Sequence, residues 1–264
     1  MSTVPATTVK ELRDLTGAGM MDCKRALEEA DGDLEQATQL LRERGIAAAQ
    51  KRAGREAKEG KVLARIADSR AAMVAVGCET EPVSKNDEFL AFVQSLLEAV
   101  EAGGPEAVEN LEDERTQLIA KIGENVVVRG AARVEAAAGE VVSAYVHRPA
   151  EKIGVVVRAK ADPELARLLA MHISFANPRY TTRDEVPADE VERERAIYEK
   201  LPEVGAKPEH IRPQIIEGML AKRFFAESVL TDEPWIHDDS KTVGQVLAES
   251  GAEVREFVRF SLAE

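Results

Sequence analysis

Gly60-Lys61-Val62-Leu63-Ala64-Arg65-Ile66-Ala67-Asp68-Ser69-Arg70-Ala71-Ala72-Met73-Val74-Ala75-Val76-Gly77 reads as two strands folded back at Asp68-Ser69. The pattern returns at Gly139-Glu140-Val141-Val142-Ser143-Ala144-Tyr145-Val146, which turns near Pro149 into Gly154-Val155-Val156-Val157-Arg158. Each hairpin leads into an amphipathic helix, predicted over 87–100 and 163–175. Each half then closes on a helix, a glycine and a strand. In the first half these are Leu118-Ile119-Ala120, Gly123 and Val126-Val127-Val128-Arg129. In the second they are Val246-Leu247-Ala248, Gly251 and Phe257-Val258-Arg259. An internal repeat of this kind is an architectural signal. It predicts an α+β protein with a duplicated core of two small three-stranded antiparallel sheets, each covered by helices. The two core subdomains are expected at 61–138 and 139–264.

The second half carries an insertion at 184–225, predicted as a projecting antiparallel helical hairpin. Its turn holds Pro202, Gly205 and Pro208. Val191, Ile197 and Leu201 are expected on one inner face, with Ile211, Ile215 and Met219 facing back at spacing four.

Ahead of the repeat, residues 1–45 read as a small module of three short helices. Thr8 with Glu11 has capping-box spacing, and Val9, Leu12 and Leu15 share a face. The second helix carries Met20, Cys23, Leu27 and Ala30; the third opens at Asp33 with Gln36. Between the first two lies Thr16-Gly17-Ala18-Gly19-Met20-Met21-Asp22-Cys23-Lys24. Its two glycines permit a tight reversal through positive φ. Its two methionines are soft side chains suited to an adaptable docking edge. From Arg42 to Lys61, seven Lys or Arg stand against three Glu. The stretch 46–60 is expected to be a basic, partly helical linker, either a solvated connector or a segment that touches RNA.

The chain has 264 residues, 44% of them hydrophobic and 31% charged, the profile of a globular protein. Only 4% are aromatic, so the cores must be aliphatic. A net charge of −13 argues against a surface that grips nucleic acid or anionic lipid as a whole. Two cysteines are too few for a disulfide scaffold and fit a reducing cytosol. No signal-peptide pattern opens the chain, and no apolar stretch reaches membrane-spanning length.

Catalytic signatures are lacking. His147, His172, His210 and His237 are scattered, and none has a carboxylate or cysteine at metal-ligand spacing. No nucleophile elbow or P-loop occurs. The turn at Thr16-Gly17-Ala18-Gly19 follows a helix rather than a strand and lacks a third glycine, so nucleotide binding there is not expected. Cys78-Glu79-Thr80-Glu81-Pro82-Val83-Ser84-Lys85-Asn86-Asp87 reads on its own as a strand-to-helix loop, with Asn86 or Asp87 as a cap. No cofactor is implied.

Several segments resemble the elongation factor Ts family in order and position. They are VKELRDLTGAGMMDCKRAL at 9–27, AKIGENV at 120–126, KIGVVV at 152–157, AMHIS at 170–174, SKTVGQVL at 240–247, and AEV with FVRF at 252–260. The resemblance implies a ubiquitin-associated-like N-terminal module, a duplicated core and a helical hairpin. It also implies a cytoplasmic guanine nucleotide exchange factor without catalysis of its own, whose partner is elongation factor Tu. Gly19, Met20, Met21, Lys24 and His147 then fall at partner-binding positions. The family's segment that dislodges the partner's Mg²⁺ is Thr-Asp-Phe-Val; here it reads Thr80-Glu81-Pro82-Val83. Glu81 keeps the carboxylate on a longer arm, and Pro82 stands where the family has an aromatic wedge. The expectation is that Pro82 acts as a rigid apolar finger and Glu81 as an acceptor. The sequence stops soon after Phe260, so the C-terminal helical extension of some members is not expected. Two other classes stay open: a ubiquitin-associated-type adaptor, and an RNA-binding translation accessory using the basic stretch.

Overall fold

The computed structural model describes residues 4–263. The first three residues of the expected 1–45 module lie outside them. Three helices come first: α1 (Ala6–Thr16), α2 (Met20–Glu29) and α3 (Leu34–Arg52). They close on Val9, Leu12, Cys23, Ala26, Leu27 and Ala37. The Thr8–Glu11 cap does not form. Pro5 takes the N-cap position in extended backbone at φ −61°, ψ 140°, so α1 already starts at Ala6, before Thr8. Asp33 does cap α3, its Oδ1 accepting the Gln36 N–H at 2.9 Å. Leu15, expected on the inner face, is 69% exposed, and Met20, on the expected docking edge, is 45% exposed.

The linker expected at 46–60 is partly helical, as the sequence predicts. Helix α3 runs on into it as far as Arg52, with Ala49 buried, and Gly45 just ahead of it is buried too. A Cβ on Gly45 would lie 3.7 Å from both Thr116 and Ala120. Alanine is the strongest helix former, and small side chains let two helices approach closely. The run Ala47-Ala48-Ala49 therefore continues a packed helix, although Ile46 beside it stays 42% exposed.

The first half then runs β1 (Glu59–Ala67), β2 (Arg70–Cys78), α4 (Glu81–Ser84), α5 (Asp87–Gly103), α6 (Glu112–Ile122) and β3 (Val126–Glu135). The second runs β4 (Val141–Val146), β5 (Ile153–Lys160), α7 (Pro163–Ala176), α8 (Ala188–Glu199), α9 (Pro202–Gly205) and α10 (Arg212–Met219). A π-helical turn, Leu220–Phe225, leads to α11 (Ala226–Ser228). The chain ends on β6 (Pro234–Trp235), β7 (Asp238–Thr242), α12 (Val243–Ser250) and β8 (Glu253–Ser261). Two antiparallel sheets result, ordered β1-β2-β3 and β4-β5-β8, each a hairpin plus one later strand. The small β6-β7 pair has no counterpart in the sequence reading.

The middle strand of each sheet is buried on both faces. On β2, Ala72, Val74 and Val76 point to a core shared with Phe89, Phe92 and Leu96 of α5. The alternate residues Ala71, Met73 and Ala75 point to the layer between the sheets, where Val62, Val134, Val156 and Leu262 meet them. On β5, Val155 and Val157 face Leu169 and Ile173 of α7, and Val156 faces the first sheet. The two sheets thus pack back to back between helices, and each fully buried Val, Leu or Met contributes about 1.5–3 kcal/mol.

Helices α8 and α10 enclose a separate core of Tyr198, Val204, Ile216, Leu220, Phe224 and Phe225. Val191, Leu201 and Ile215 pack against it, as spacing predicted. Ile197 does not; it is 53% exposed, because Tyr198 takes the inward position next to it. No helix among the described residues is long and apolar enough to cross a membrane.

Candidate functional site

Strand β2 delivers the chain to the surface at Cys78. The Cys78 thiol is buried and donates to the Thr80 carbonyl at 3.3 Å. Burial, helped by the nearby Glu124 charge, pushes its pKa up to about 12. Thr80 stands just before α4, in extended backbone, and Pro82 sits in the first turn, where its missing N–H costs nothing. Ser84 Oγ closes the turn on the Glu81 carbonyl at 2.7 Å. Glu81 and Pro82 are exposed, while Val83 packs against the core under α5. Asn86 caps α5 as expected, its Oδ1 accepting the Glu88 and Phe89 N–H groups at 2.9 and 3.3 Å.

The Glu81 carboxylate, expected as an acceptor, already has a partner within the chain. Lys85 Nζ reaches it at 2.7 Å, one helical turn on. That hydrogen bond, with the Lys85 charge behind it, holds the Glu81 pKa below the ordinary carboxylate value. Both side chains are open to solvent, so the pair is readily exchanged for another partner.

Beneath this turn lies an arrangement the sequence reading missed. Glu124 Oε2 accepts the backbone N–H groups of Glu79 and Thr80 at 3.1 and 3.0 Å. Its Oε1 accepts the Thr80 hydroxyl at 2.6 Å. In return, Glu79 Oε1 accepts the Asn125 N–H at 2.6 Å. Buried Asn125 donates to the Arg55 carbonyl at 2.8 Å, and the Arg55 guanidinium lies 3.5 Å from Glu79. The signal was present in the segment AKIGENV. Gly123 ends α6 in the left-handed region at φ 82°, and that reversal turns Glu124 back toward β2.

The end of α6 also meets the N-terminal module. Arg52 Nε donates to the Gly123 carbonyl at 2.9 Å. Lys121 pairs with Glu88 at 2.6 Å, and its Nζ lies 3.6 Å from where a Cβ on Gly17 would be. The turn at 16–19 uses positive φ only at Gly17, with φ 66°; Gly19 is extended at φ −60°, ψ 143°. From Gly19 the chain enters α2 with Met20 and Met21 exposed; Leu15 near the end of α1 is exposed as well. Asp22 pairs with Arg25, and Lys24 reaches Glu28 at 3.7 Å.

His147 stands apart from both. It is exposed at the end of β4, with Nδ1 3.1 Å from the Tyr145 hydroxyl. Its backbone N–H donates to the Ile153 carbonyl at 2.9 Å. The same hairpin leans on β1, where Val62 N–H donates to the Glu151 carbonyl at 2.7 Å and Lys61 pairs with the Glu151 carboxylate at 2.9 Å. The structure therefore gathers the residues into an apolar edge at Met20-Met21, a stiff turn at 80–83 joined to it through α6, and a separate tip at His147.

His172 of the AMHIS segment is buried, not part of this surface. Its Nε2 lies 2.8 Å from Glu233 Oε2, and its ring stacks on Trp235 at 5.1 Å. Among the described residues no group of three His, Cys, Asp or Glu could hold a metal ion.

Residues 79–264 match the family model described as Elongation factor TS. The chain is 44% identical over 265 residues to an Elongation factor Ts of Shewanella amazonensis, covering 99% of this chain and 91% of that protein. It is 42% identical to the Elongation factor Ts of Thioalkalivibrio sulfidiphilus, covering 99% and 93% of the two chains. The Elongation factor Ts of Cronobacter sakazakii is 41% identical, with 100% and 93% covered. On this match, across the fold described above, the chain belongs to the elongation factor Ts family of translation factors.

Proposed function

We propose that this chain is the nucleotide exchange factor of elongation factor Tu. It binds the GDP-bound partner, disturbs the Mg²⁺ and phosphate contacts, lets GDP leave and so allows GTP to enter. It performs no covalent chemistry of its own and acts in the cytoplasm, where translation runs. The observation that carries this reading is the exposed Glu81-Pro82 turn seated on a fully hydrogen-bonded base.

The roles divide by chemistry. Met20 and Met21 offer an exposed apolar edge, with Gly19 and Lys24 next to it along the chain, and take hold of the GTPase domain. Thr80, Glu81, Pro82 and Val83 disturb the partner's metal and phosphate site. Pro82 is a blunt rigid prow rather than a flat aromatic wedge, and Glu81 gives up Lys85 to offer its carboxylate. His147 grips a second domain. Nanomolar nucleotide affinity is about −12 kcal/mol. Only preferential binding of the nucleotide-free conformation can offset it, and a buried area of roughly 1,200–2,000 Å² spread over several contacts supplies that. A net charge of −13 favours a protein partner over RNA.

The test is release of fluorescent GDP from the elongation factor Tu of the same organism, with and without this chain. Stimulated release supports the reading; an unchanged release rate at saturating chain overturns it.

A further inference from the structure

We infer that Glu124 is a positioning residue for nucleotide release, holding the backbone at Glu79-Thr80 so that the Glu81-Pro82-Val83 turn meets the partner in one fixed pose. The inference rests on the proposed role of that turn. Three donors converge on one carboxylate: two consecutive backbone N–H groups and the Thr80 hydroxyl, at 3.1, 3.0 and 2.6 Å. Charge-assisted bonds of this kind are the strong ones, and three on one group fix both its position and theirs. Glu79 repeats the device in the opposite direction by accepting the Asn125 N–H at 2.6 Å. Each of the two segments therefore carries the acceptor for the other's backbone. The pair is a clasp between the end of β2 and the start of β3, across two strands that are neighbours in one sheet. Arg55 lies against Glu79 on its outer side and offsets the two like charges.

A clasp at this place has a mechanical consequence. The turn must press on a site that holds its metal and phosphate tightly. A loose turn would yield instead, and binding free energy would go into ordering the loop rather than disturbing the partner. Glu124 has its oxygens filled by donors from within the chain, so its contribution runs through the turn and not through the partner. Thr80 likewise serves the clasp with its hydroxyl.

The full chain is compared with Glu124→Ala and Glu124→Gln, using fluorescent-GDP release from elongation factor Tu and hydrogen exchange of the free factor. In Glu124→Ala the amides of Glu79 and Thr80 are expected to exchange about tenfold faster, the worth of one such hydrogen bond. Release at saturating factor is expected to fall about tenfold, while the half-saturating concentration moves by less than about twofold. Glu124→Gln retains one acceptor oxygen and is expected to fall between wild type and Glu124→Ala. Unchanged amide protection, or lost protection with a wild-type saturating rate, overturns the inference. A raised half-saturating concentration with an unchanged saturating rate also overturns it, because Glu124 would then be a direct contact. Glu81→Ala and Pro82→Gly run in parallel. If these slow release and Glu124→Ala does not, the turn keeps its role and only the clasp falls. If none slows release, the reading of the turn itself falls.

Discussion

Gly154 lies against Val62 with no room for a side chain between them. A Cβ on Gly154 would sit 2.5 Å from Val62 Cγ1 and 2.9 Å from Met73 Sδ, in the layer where the two sheets meet. Val62 and Met73 are fully buried, so neither has space to withdraw. Gly154→Ala is therefore expected to destabilise the fold by about 1–3 kcal/mol, the usual range for overpacking. Urea unfolding checks this as a lowered midpoint. A wild-type midpoint would mean that the sheets are not packed this closely in solution.

Gly218 gives the opposite expectation. It lies within α10, nothing stands within 4 Å of a Cβ there, and its φ is not in the left-handed region. Gly218→Ala should stabilise by about 0.5–1 kcal/mol through lost freedom of the unfolded chain and better helix propensity. The same urea series measures it. A lowered midpoint would show that the helical pair is strained or contacted at that face.

The buried pair of His172 and Glu233 is expected to be asymmetric in what it tolerates. The Ile236 N–H points at His172 Nδ1 at 3.4 Å, which leaves the ring proton on Nε2, directed at Glu233 Oε2. Glu233 Oε1 has no hydrogen-bond partner. His172→Phe keeps the stacking surface toward Trp235 but leaves both oxygens of a buried carboxylate without a donor. A loss of about 3–5 kcal/mol follows. Glu233→Gln keeps an acceptor for Nε2–H and removes the charge, so its cost should stay below about 1.5 kcal/mol. Equal losses for both variants in chemical denaturation would contradict this account.

The parts of the fold legible in sequence were those where one residue's neighbours decide its place. Val155-Val156-Val157 announced a strand because a β-branched run fits a pleated sheet whatever lies above it. Gly123 and Gly251 announced helix ends because a left-handed residue there favours glycine. Leu15 and Ile197 misled for a different reason. Their spacing was right for an inner face, but which stripe turns inward depends on the element packed against it, and Tyr198 outcompeted its neighbour. The helix in the basic stretch was legible from its alanines, but its packing was not: charge and alanine content suit a solvated connector, while Gly45 and Ala49 are buried and Gly45 lies close to α6. The clasp was hidden for the same reason: Glu124 and Thr80 are 44 positions apart, and nothing local to either names the other.

Cys78 should resist alkylation in the folded protein. Its pKa of about 12 leaves almost no thiolate near neutral pH, and the reactive species is the thiolate. Relative to an ordinary thiol at 9.0, the folded state favours the protonated form. The associated stability is thus full below pH 9 and is lost as pH rises from about 9 toward about 12. Iodoacetamide labelling at pH 8 is expected to be much slower in buffer than in urea. Rapid labelling of the native protein at Cys78 would mean that the end of β2 opens readily.

The apolar edge and the 80–83 turn should separate in kinetics. Met20 and Met21 are exposed at 45% and 62% and touch no part of the clasp, so truncating them removes contact area without altering the turn. Such contacts are made equally before and after the nucleotide loosens, and uniform binding appears in the half-saturating concentration alone. A Met20→Ala, Met21→Ala double variant is therefore expected to raise that concentration about tenfold or more, from about 1.5 kcal/mol or more for two buried apolar side chains. Its release rate at saturation should stay at the wild-type value. Pro82→Gly acts on the other quantity. It loosens the backbone of the turn and leaves the edge intact, so it should lower the saturating rate while half-saturation hardly moves. Stopped-flow release of fluorescent GDP over a range of factor concentrations reads both numbers from one curve. If the methionine variant instead lowers the plateau, the edge takes part in loosening the nucleotide, and the division between holding and pressing is reversed.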